Sequence, residues 1–255
     1  MARAAVQRRL TWQPATVAQV RTETESARSI VLDVPGWPGH VTGQHVDVRL
    51  TAEDGYAAQR SYSVASAPEL DRLELTVQRV PDGEVSPYLA DVAEAGDQLE
   101  IRGPVGGYFT WRPEAVEPVL LVAGGSGIVP LMSMIRGRAA ANSRVPFRLV
   151  YSARTPDDVI YAQELSRRVR DDRGLDVAFA YTRGTPAGWP RPPGRLDAAL
   201  LAEVGWPADF IPAVYICGPT GFVEAAANLL VAQGHEPQRI KTERFGPTGD
   251  REAAA

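Results

Sequence analysis

Residues 119–136 read VLLVAGGSGIVPLMSMIR. The five apolar residues Val119–Ala123 have the length and branching of a strand buried on both faces. They run directly into Gly124-Gly125-Ser126-Gly127, after which Pro130 opens a helical pattern. Proline is tolerated in a first helical turn because the N–H it lacks would have no partner there. A strand, a glycine turn and a helix N-terminus make a seat for a phosphate or pyrophosphate. Glycine allows positive φ and close approach of a ligand, while free N–H groups and the positive end of the helix dipole favour an anion. The candidates for that contact are Gly125, Ser126, Gly127 and Pro130. Their spacing, GxGxxP, departs from the dinucleotide fingerprint GxGxxG, and an ordinary strand-to-helix turn has the same composition, so the flanking sequence has to decide.

Downstream, strands and helices alternate. The pattern predicts a helix to about Ala140, a strand over Phe147–Ser152, and a helix announced by Thr155-Pro156-Asp157-Asp158, with Tyr161, Leu165 and Val169 as its apolar stripe. A strand over Asp176–Tyr181 precedes a proline-rich loop through Pro186, Pro190, Pro192 and Pro193. The strand Ala213–Cys217 turns at Gly218-Pro219 into a helix over Phe222–Ala232, and Arg239–Glu243 supplies a closing strand. Such alternation implies a parallel sheet with helices on both faces.

Upstream, the rhythm is of short strands: Ala15–Val20, Ser29–Val34, His45–Thr51, Ser61–Ala65, Leu73–Val80 and Gln98–Arg102, separated by turn signals such as Pro35-Gly36, Glu53-Asp54-Gly55 and Pro81-Asp82-Gly83. One short helix is predicted from Ser86 or Pro87 to about Val92, with Ser86 as N-cap and Pro87 at its first position. The fold class is therefore an antiparallel β-barrel domain over residues 1–113 followed by an α/β parallel-sheet domain over 114–255, the boundary lying between Thr110 and Pro118.

Composition narrows the functions. A net charge of -4 argues against nucleic acid as main partner. Only Lys241 among the 27 basic residues is lysine, which reads as a coding habit. The lone Cys217 excludes disulfides and a cysteine-ligated iron-sulfur cluster within this chain, and His40, His45 and His235 lack metal-ligand spacing. The N-terminus MARAAVQRRL is basic without the apolar run of a signal peptide, and no apolar stretch is long enough to cross a bilayer; a cytoplasmic protein is expected.

The end of the fourth strand supplies Arg60-Ser61-Tyr62-Ser63, where alternation sends Arg60 and Tyr62 to one face and Ser61 and Ser63 to the other. Arginine offers a planar fork for phosphate oxygens, tyrosine a face for a flat ring and serine a short hydroxyl, although a tyrosine on a barrel strand is more often simple packing. Here the chain resembles the ferredoxin-NADP reductase superfamily, whose R-x-Y-S signature is matched by Arg60, Tyr62 and Ser63. The resemblance covers nearly the whole chain and rests on six ordered motifs: RSYS, VQRVPDGEVS at 77–86, GPVGGYF at 103–109, AGGSGIVP at 123–130, CGPTGF at 217–222 and ERF at 243–245.

The resemblance implies that Tyr62 lies against the isoalloxazine ring, Ser63 hydrogen-bonds near flavin N5 and Arg60 grips the flavin phosphates. It implies backbone contacts to the flavin from Val77, Gln78 and Arg79, and pyrophosphate-binding amides at Gly83, Glu84, Val85 and Ser86. Phe109 and Trp111 are either platforms for an adenine or part of a hydrophobic domain interface. Gly125, Ser126 and Gly127 resemble the nicotinamide-nucleotide loop, with Ser126 where relatives often carry threonine. In the pattern CGPxxF, Cys217, Gly218 and Pro219 would sit beside the nicotinamide C4, Cys217 shaping the pocket without acting as nucleophile; read alone, it is an inert buried thiol. Glu243 and Phe245 resemble a C-terminal acid and aromatic that cover the flavin, the plainer reading of Glu243 being a surface ion pair. The implied catalytic group is Tyr62, Ser63, Cys217 and Glu243.

Arg154, Arg183 and Arg195 match places where NADP-using relatives put basic residues, and Ser152-Ala153-Arg154 lacks the acid expected of an NAD site, so NADPH is favoured. FAD is favoured over FMN by resemblance. The implied function is a flavin-dependent NAD(P)H oxidoreductase passing hydride from NADPH to FAD and electrons to a separate carrier such as ferredoxin or a flavodoxin-like protein, the iron-sulfur domain fused to some relatives requiring cysteines that this sequence lacks. The alternatives are a reductase of small acceptors such as free flavin and a flavoprotein electron-transfer subunit of a larger complex.

Overall fold

The structure, a computed structural model, describes residues 10–52, 54–68 and 72–246. Most of the basic N-terminal stretch and Glu53 of the predicted turn therefore lie outside the described residues.

Six antiparallel strands form the first sheet: β1 (Gln13–Thr24), β2 (Ala27–Asp33), β3 (His45–Thr51), β4 (Ala57–Ser63), β5 (Leu73–Gln78) and β6 (Gln98–Val105), in the order β4-β3-β6-β1-β2-β5. An isolated antiparallel bridge between Val64 and Leu75 joins the two end strands and closes the sheet into a barrel. Alternation fills its interior: Val46 and Val48 of β3, Ile30 and Leu32 of β2 and Leu73, Leu75 and Val77 of β5 are buried together.

The second sheet is parallel throughout, β11-β10-β7-β8-β9. Its strands are β7 (Val119–Gly124), β8 (Phe147–Ala153), β9 (Leu175–Tyr181), β10 (Ala213–Pro219) and β11 (Ile240–Phe245). Central β7 is buried on both sides, as its unbroken apolar run requires. Leu120 and Val122 pack toward α3 (Ala198–Val204) and α4 (Thr220–Ala232). Leu121 and Ala123 pack toward α1 (Ile128–Ala140) and α2 (Ala162–Asp171), in a cluster that also takes in Ala27, Ala65, Phe109 and Trp111 from outside the parallel sheet. The face carrying α1 and α2 is thus the face that meets the barrel.

Several local expectations change. Thr155 does cap a turn, with a capping box to Asp158, but that turn is one 3-10 turn over Pro156–Asp158; Tyr161 then takes a left-handed φ of 63° and α2 starts only at Ala162. Of the predicted stripe, Tyr161 is buried ahead of the helix, Leu165 is buried within it and Val169 is exposed. The short barrel helix does run from Ser86 to Val92, with Tyr88–Val92 as a π-turn, but Ser86 is not its N-cap, because its Oγ accepts from the Val80 N–H at 3.1 Å. Helix α3 was not anticipated from sequence.

Candidate active site

In the parallel sheet the chain runs from β7 outward through β8 to β9 and then returns to β10 on the other side of β7. The crevice between the carboxyl ends of β7 and β10 is the switch point at which such sheets bind ligands. Gly125–Gly127 leaves β7 there as a 3-10 turn leading into α1, with Pro130 in the first helical turn, and Cys217, Gly218 and Pro219 end β10 opposite.

The glycines of this loop have distinct physical reasons. Gly125 has φ +54° and the space around an added Cβ is open apart from Gln78 Oε1 at 3.9 Å. Gly127 has an ordinary helical φ, but a Cβ there would lie 2.0 Å from the Cys217 carbonyl oxygen. Gly124 and Gly218 leave room for the Phe222 ring. Gly125 is therefore the position open to a ligand, and Gly127 is where two strand ends pack backbone to backbone.

Beside Cys217 in register on β11 stands Glu243. The Cys217 thiol points at Glu243 Oε2 at 3.9 Å, and the other carboxylate oxygen lies 3.9 Å from His45 Nδ1, on the barrel. Burial pushes the Glu243 carboxyl up to about 7, with Cys217 opposing. Burial, and then the Glu243 charge, push the Cys217 thiol well above its ordinary value, so it is no thiolate near neutral pH. Burial also lowers His45, with Asp47 opposing. His45 is cross-strand neighbour to Ser63, so the barrel residues around Ser63 and the α/β residues around Cys217 meet in one place. Sequence reading set His45 aside; the alternation of β3, with Val46 and Val48 turned into the core, and its pairing with β4 were the signals that could have found it.

On β4, Arg60 is exposed and Tyr62 half-buried, with burial raising the phenol well above its usual range. The Arg60 guanidinium donates to Glu84 at 2.8 Å, and the Tyr56 hydroxyl donates to the same carboxylate. Arg60 is therefore held against the 83–86 segment through the Glu84 carboxylate. Val85 is buried in the barrel core and Ser86 is turned inward, so this segment leads into the short helix without a side-chain cap. Val77 likewise points into the core, while Gln78 reaches toward the Gly125 turn and Arg79 pairs with Asp91 at 3.5 Å. Phe245 ends β11 opposite Pro219, partly exposed.

Phe109 stacks edge-on against Tyr215 at 5.5 Å and Trp111 against Phe147 at 5.2 Å, both buried. Of the two readings open for them, the geometry selects packing between the sheets. Arg154 and Arg183 follow β8 and β9 and are joined by a backbone bond from Arg183 N–H to Arg154 C=O of 2.8 Å. The Gly194 N–H donates to the Tyr181 carbonyl at 2.9 Å, which brings Arg195 to the same sheet edge. Among the described residues none of these three arginines has an ion-pair partner. A separate surface cavity of about 340 Å³, lined by Asp209, His235 and Arg239 among others, opens at the amino ends of β10 and β11, away from all of these groups.

Among the described residues no group of acidic, histidine or cysteine side chains could hold a metal ion, and no helix is long and apolar enough to cross a membrane. Residues 14–110 match a family described as an oxidoreductase FAD-binding domain, and residues 121–228 one described as an oxidoreductase NAD-binding domain. The chain is similar to the glycine betaine monooxygenase reductase subunit of Pseudomonas aeruginosa, with 35% identity over 210 residues, 81% of this chain and 56% of that protein. It is also similar to the 3-ketosteroid-9-alpha-monooxygenase ferredoxin reductase component of Mycobacterium tuberculosis, with 31% identity covering 90% of this chain and 64% of the relative. The chain thus spans less than two thirds of the length of these relatives. Among solved structures, the flavohem-like FAD/NAD binding domain of nitric oxide dioxygenase from Vibrio cholerae superposes with a TM-score of 0.81 at 25% identity, covering 92% of this chain and 99% of that one.

Proposed function

The chain belongs to the ferredoxin-NADP reductase superfamily, and from that premise we propose that it is an FAD-dependent oxidoreductase that draws electrons from NADPH and delivers them to a separate carrier protein of the ferredoxin or flavodoxin kind. The observation that carries this reading is the meeting of the two sheets: Glu243 approaches His45, and the Gly125 turn approaches Gln78, so a nucleotide at the switch point and a flavin on β4 would share one crevice.

When bound, FAD supplies acceptance of a hydride and release of electrons one at a time. The protein's residues bind, orient and exclude water. Arg60 would hold phosphate oxygens, exchanging Glu84 for them, and the neutral Tyr62 phenol would offer its ring face. Ser63 contributes a hydroxyl beside His45. Gly125 and Ser126 would receive the nucleotide at the helix end. Cys217, held as a thiol, fills space beside the nicotinamide position, and Glu243, with a carboxyl near 7, can hold or release a proton at neutral pH.

Arg154, Arg183 and Arg195 support NADPH over NADH, because three guanidinium groups at one sheet edge, without ion-pair partners among the described residues, suit an adenosine 2'-phosphate. The similarity to reductase components of two monooxygenases supports a protein acceptor over a small one. The test is steady-state oxidation of NADPH and NADH by the FAD-loaded protein with a ferredoxin, a flavodoxin or free flavin as acceptor. Faster turnover with the carrier proteins and with NADPH is expected, and Arg154→Ser with Arg183→Ser should lower the NADPH to NADH ratio of kcat/KM by roughly 10-fold or more. Equal turnover with free flavin alone would overturn the carrier reading, and an unchanged ratio would overturn the arginine assignment.

A further inference from the structure

Helix α1 begins at the nucleotide loop and lies along the barrel segment that continues the flavin strand β4. One helical face makes the contact. Ser133 Oγ donates to the Ser66 carbonyl at 2.8 Å, and one turn later Arg136 Nη1 donates to the Ala65 carbonyl at 2.9 Å. The same guanidinium reaches Glu74 of β5 at 2.6 Å and grips both oxygens of Glu164, on α2, at 3.1 and 2.6 Å. Gly137 completes the seat, since a Cβ there would lie 2.5 Å from the Thr42 methyl group. Ser133 and Arg136 are buried, and Ala65 and Ser66 follow Ser63 along the chain after Val64.

We infer that Arg136 and Ser133 are positioning residues that fix the nucleotide loop relative to the flavin strand, by clasping the carbonyls of Ala65 and Ser66. The path is short and stiff. From Ser133 back to the start of α1 is five residues, about 8 Å of helix, and from Ala65 back to Ser63 is two residues of extended chain. A buried arginine between two carboxylates gains little net stability over a well-packed apolar side chain, because desolvation offsets the attraction. Its five donors in a planar fork do fix orientation, because each bond is directional. This network therefore suits the setting of geometry more than the supply of stability. Ring-to-ring distance and angle are the quantities on which hydride transfer depends most steeply. The inference rests on the reductase reading above.

Flavin-loaded Arg136→Met, Arg136→Lys and Ser133→Ala are compared with the parent by anaerobic rapid mixing with NADPH. The readouts are the limiting rate of flavin bleaching, the nucleotide Kd and the long-wavelength charge-transfer absorbance of the nucleotide on the flavin. Arg136→Met is expected to slow the limiting rate roughly 10- to 100-fold, to weaken the charge-transfer band, and to leave flavin content unchanged and Kd within about threefold. Arg136→Lys should restore part of both. A variant that melts earlier yet keeps the parent's rate and band would overturn the inference and reduce Arg136 to structural cement. If Arg136→Met does not fold, Ser133→Ala carries the test: a fall of a few-fold in rate is expected, and an unchanged rate and band overturn the inference. If the parent itself is not bleached by either nucleotide, the reductase reading fails. The clasp is then judged by spin-label distances between Glu94→Cys and Arg170→Cys, where a distribution as narrow in Arg136→Met or Ser133→Ala as in the parent would overturn it.

Discussion

Glu243 concentrates the electrostatics of the crevice in one carboxyl. Its value of about 7 against an ordinary 4.5 arises chiefly from burial. Between those two values the folded protein binds more protons than the unfolded chain, so this group's contribution to stability is full below pH 4.5 and is lost as pH rises to about 7. The amount at stake is on the order of 3 kcal/mol. His45 and His235, both lowered by burial, act in the opposite sense as pH falls through their ordinary value of 6.5, so the parent's own profile is a sum. The difference between Glu243→Gln and the parent isolates the carboxyl. Urea unfolding at several pH values should find the two nearly equal near pH 4.5 and the variant more stable by up to about 3 kcal/mol at pH 8; a difference that stays constant with pH would show that the carboxyl is not raised.

The glycine turn after β7 separates a conformational requirement from a packing one. Gly125→Ala places a Cβ into open space at φ +54°, at a cost of about 1–2 kcal/mol. Gly127→Ala keeps an ordinary φ but drives a methyl into the Cys217 carbonyl, and has to push β7 and β10 apart. Thermal unfolding should rank Gly127→Ala clearly below Gly125→Ala, and the reverse order would contradict the backbone contact. The turn itself was legible because an apolar run, four residues of glycine and serine and a first-turn proline all favour one local structure. Ser86 misled because its hydroxyl found the Val80 amide across a loop, a partner that no local pattern reveals. Thr155 misled in part: its capping box with Asp158 is real, but the turn it caps stops at Asp158, and the helix waits for a left-handed Tyr161 whose hydroxyl bonds Thr76 of the barrel. Tertiary contact outweighed helix propensity there. Helix α3 follows a proline-rich loop and is only seven residues long, too short for periodicity to register.

Across the molecule, the order of strands turns a list of motifs into a site. The topology places Gly125, Cys217 and Glu243 at neighbouring carboxyl ends, and the barrel supplies Tyr62, Ser63 and His45 from a sheet whose end strands close at Val64 and Leu75. Both layers could be read from pattern alone, since a period of two and an alternation of strand with helix leave different traces in sequence. Their mutual docking could not. It is carried by contacts such as those of Arg136, which from sequence is one arginine among many and which in the fold joins β5, α2 and the Ala65 carbonyl. The same docking explains why Phe109 and Trp111 are buried against Tyr215 and Phe147 and not offered to a ligand. On the proposed reading this docked pair of layers brings flavin and nicotinamide together. The most direct test of that reading is anaerobic mixing of the FAD-reconstituted protein with NADPH and, separately, NADH, while the visible flavin band is followed. Rapid bleaching, faster with NADPH, is the expected result; a flavin that binds stoichiometrically yet stays oxidised with both nucleotides would contradict the account.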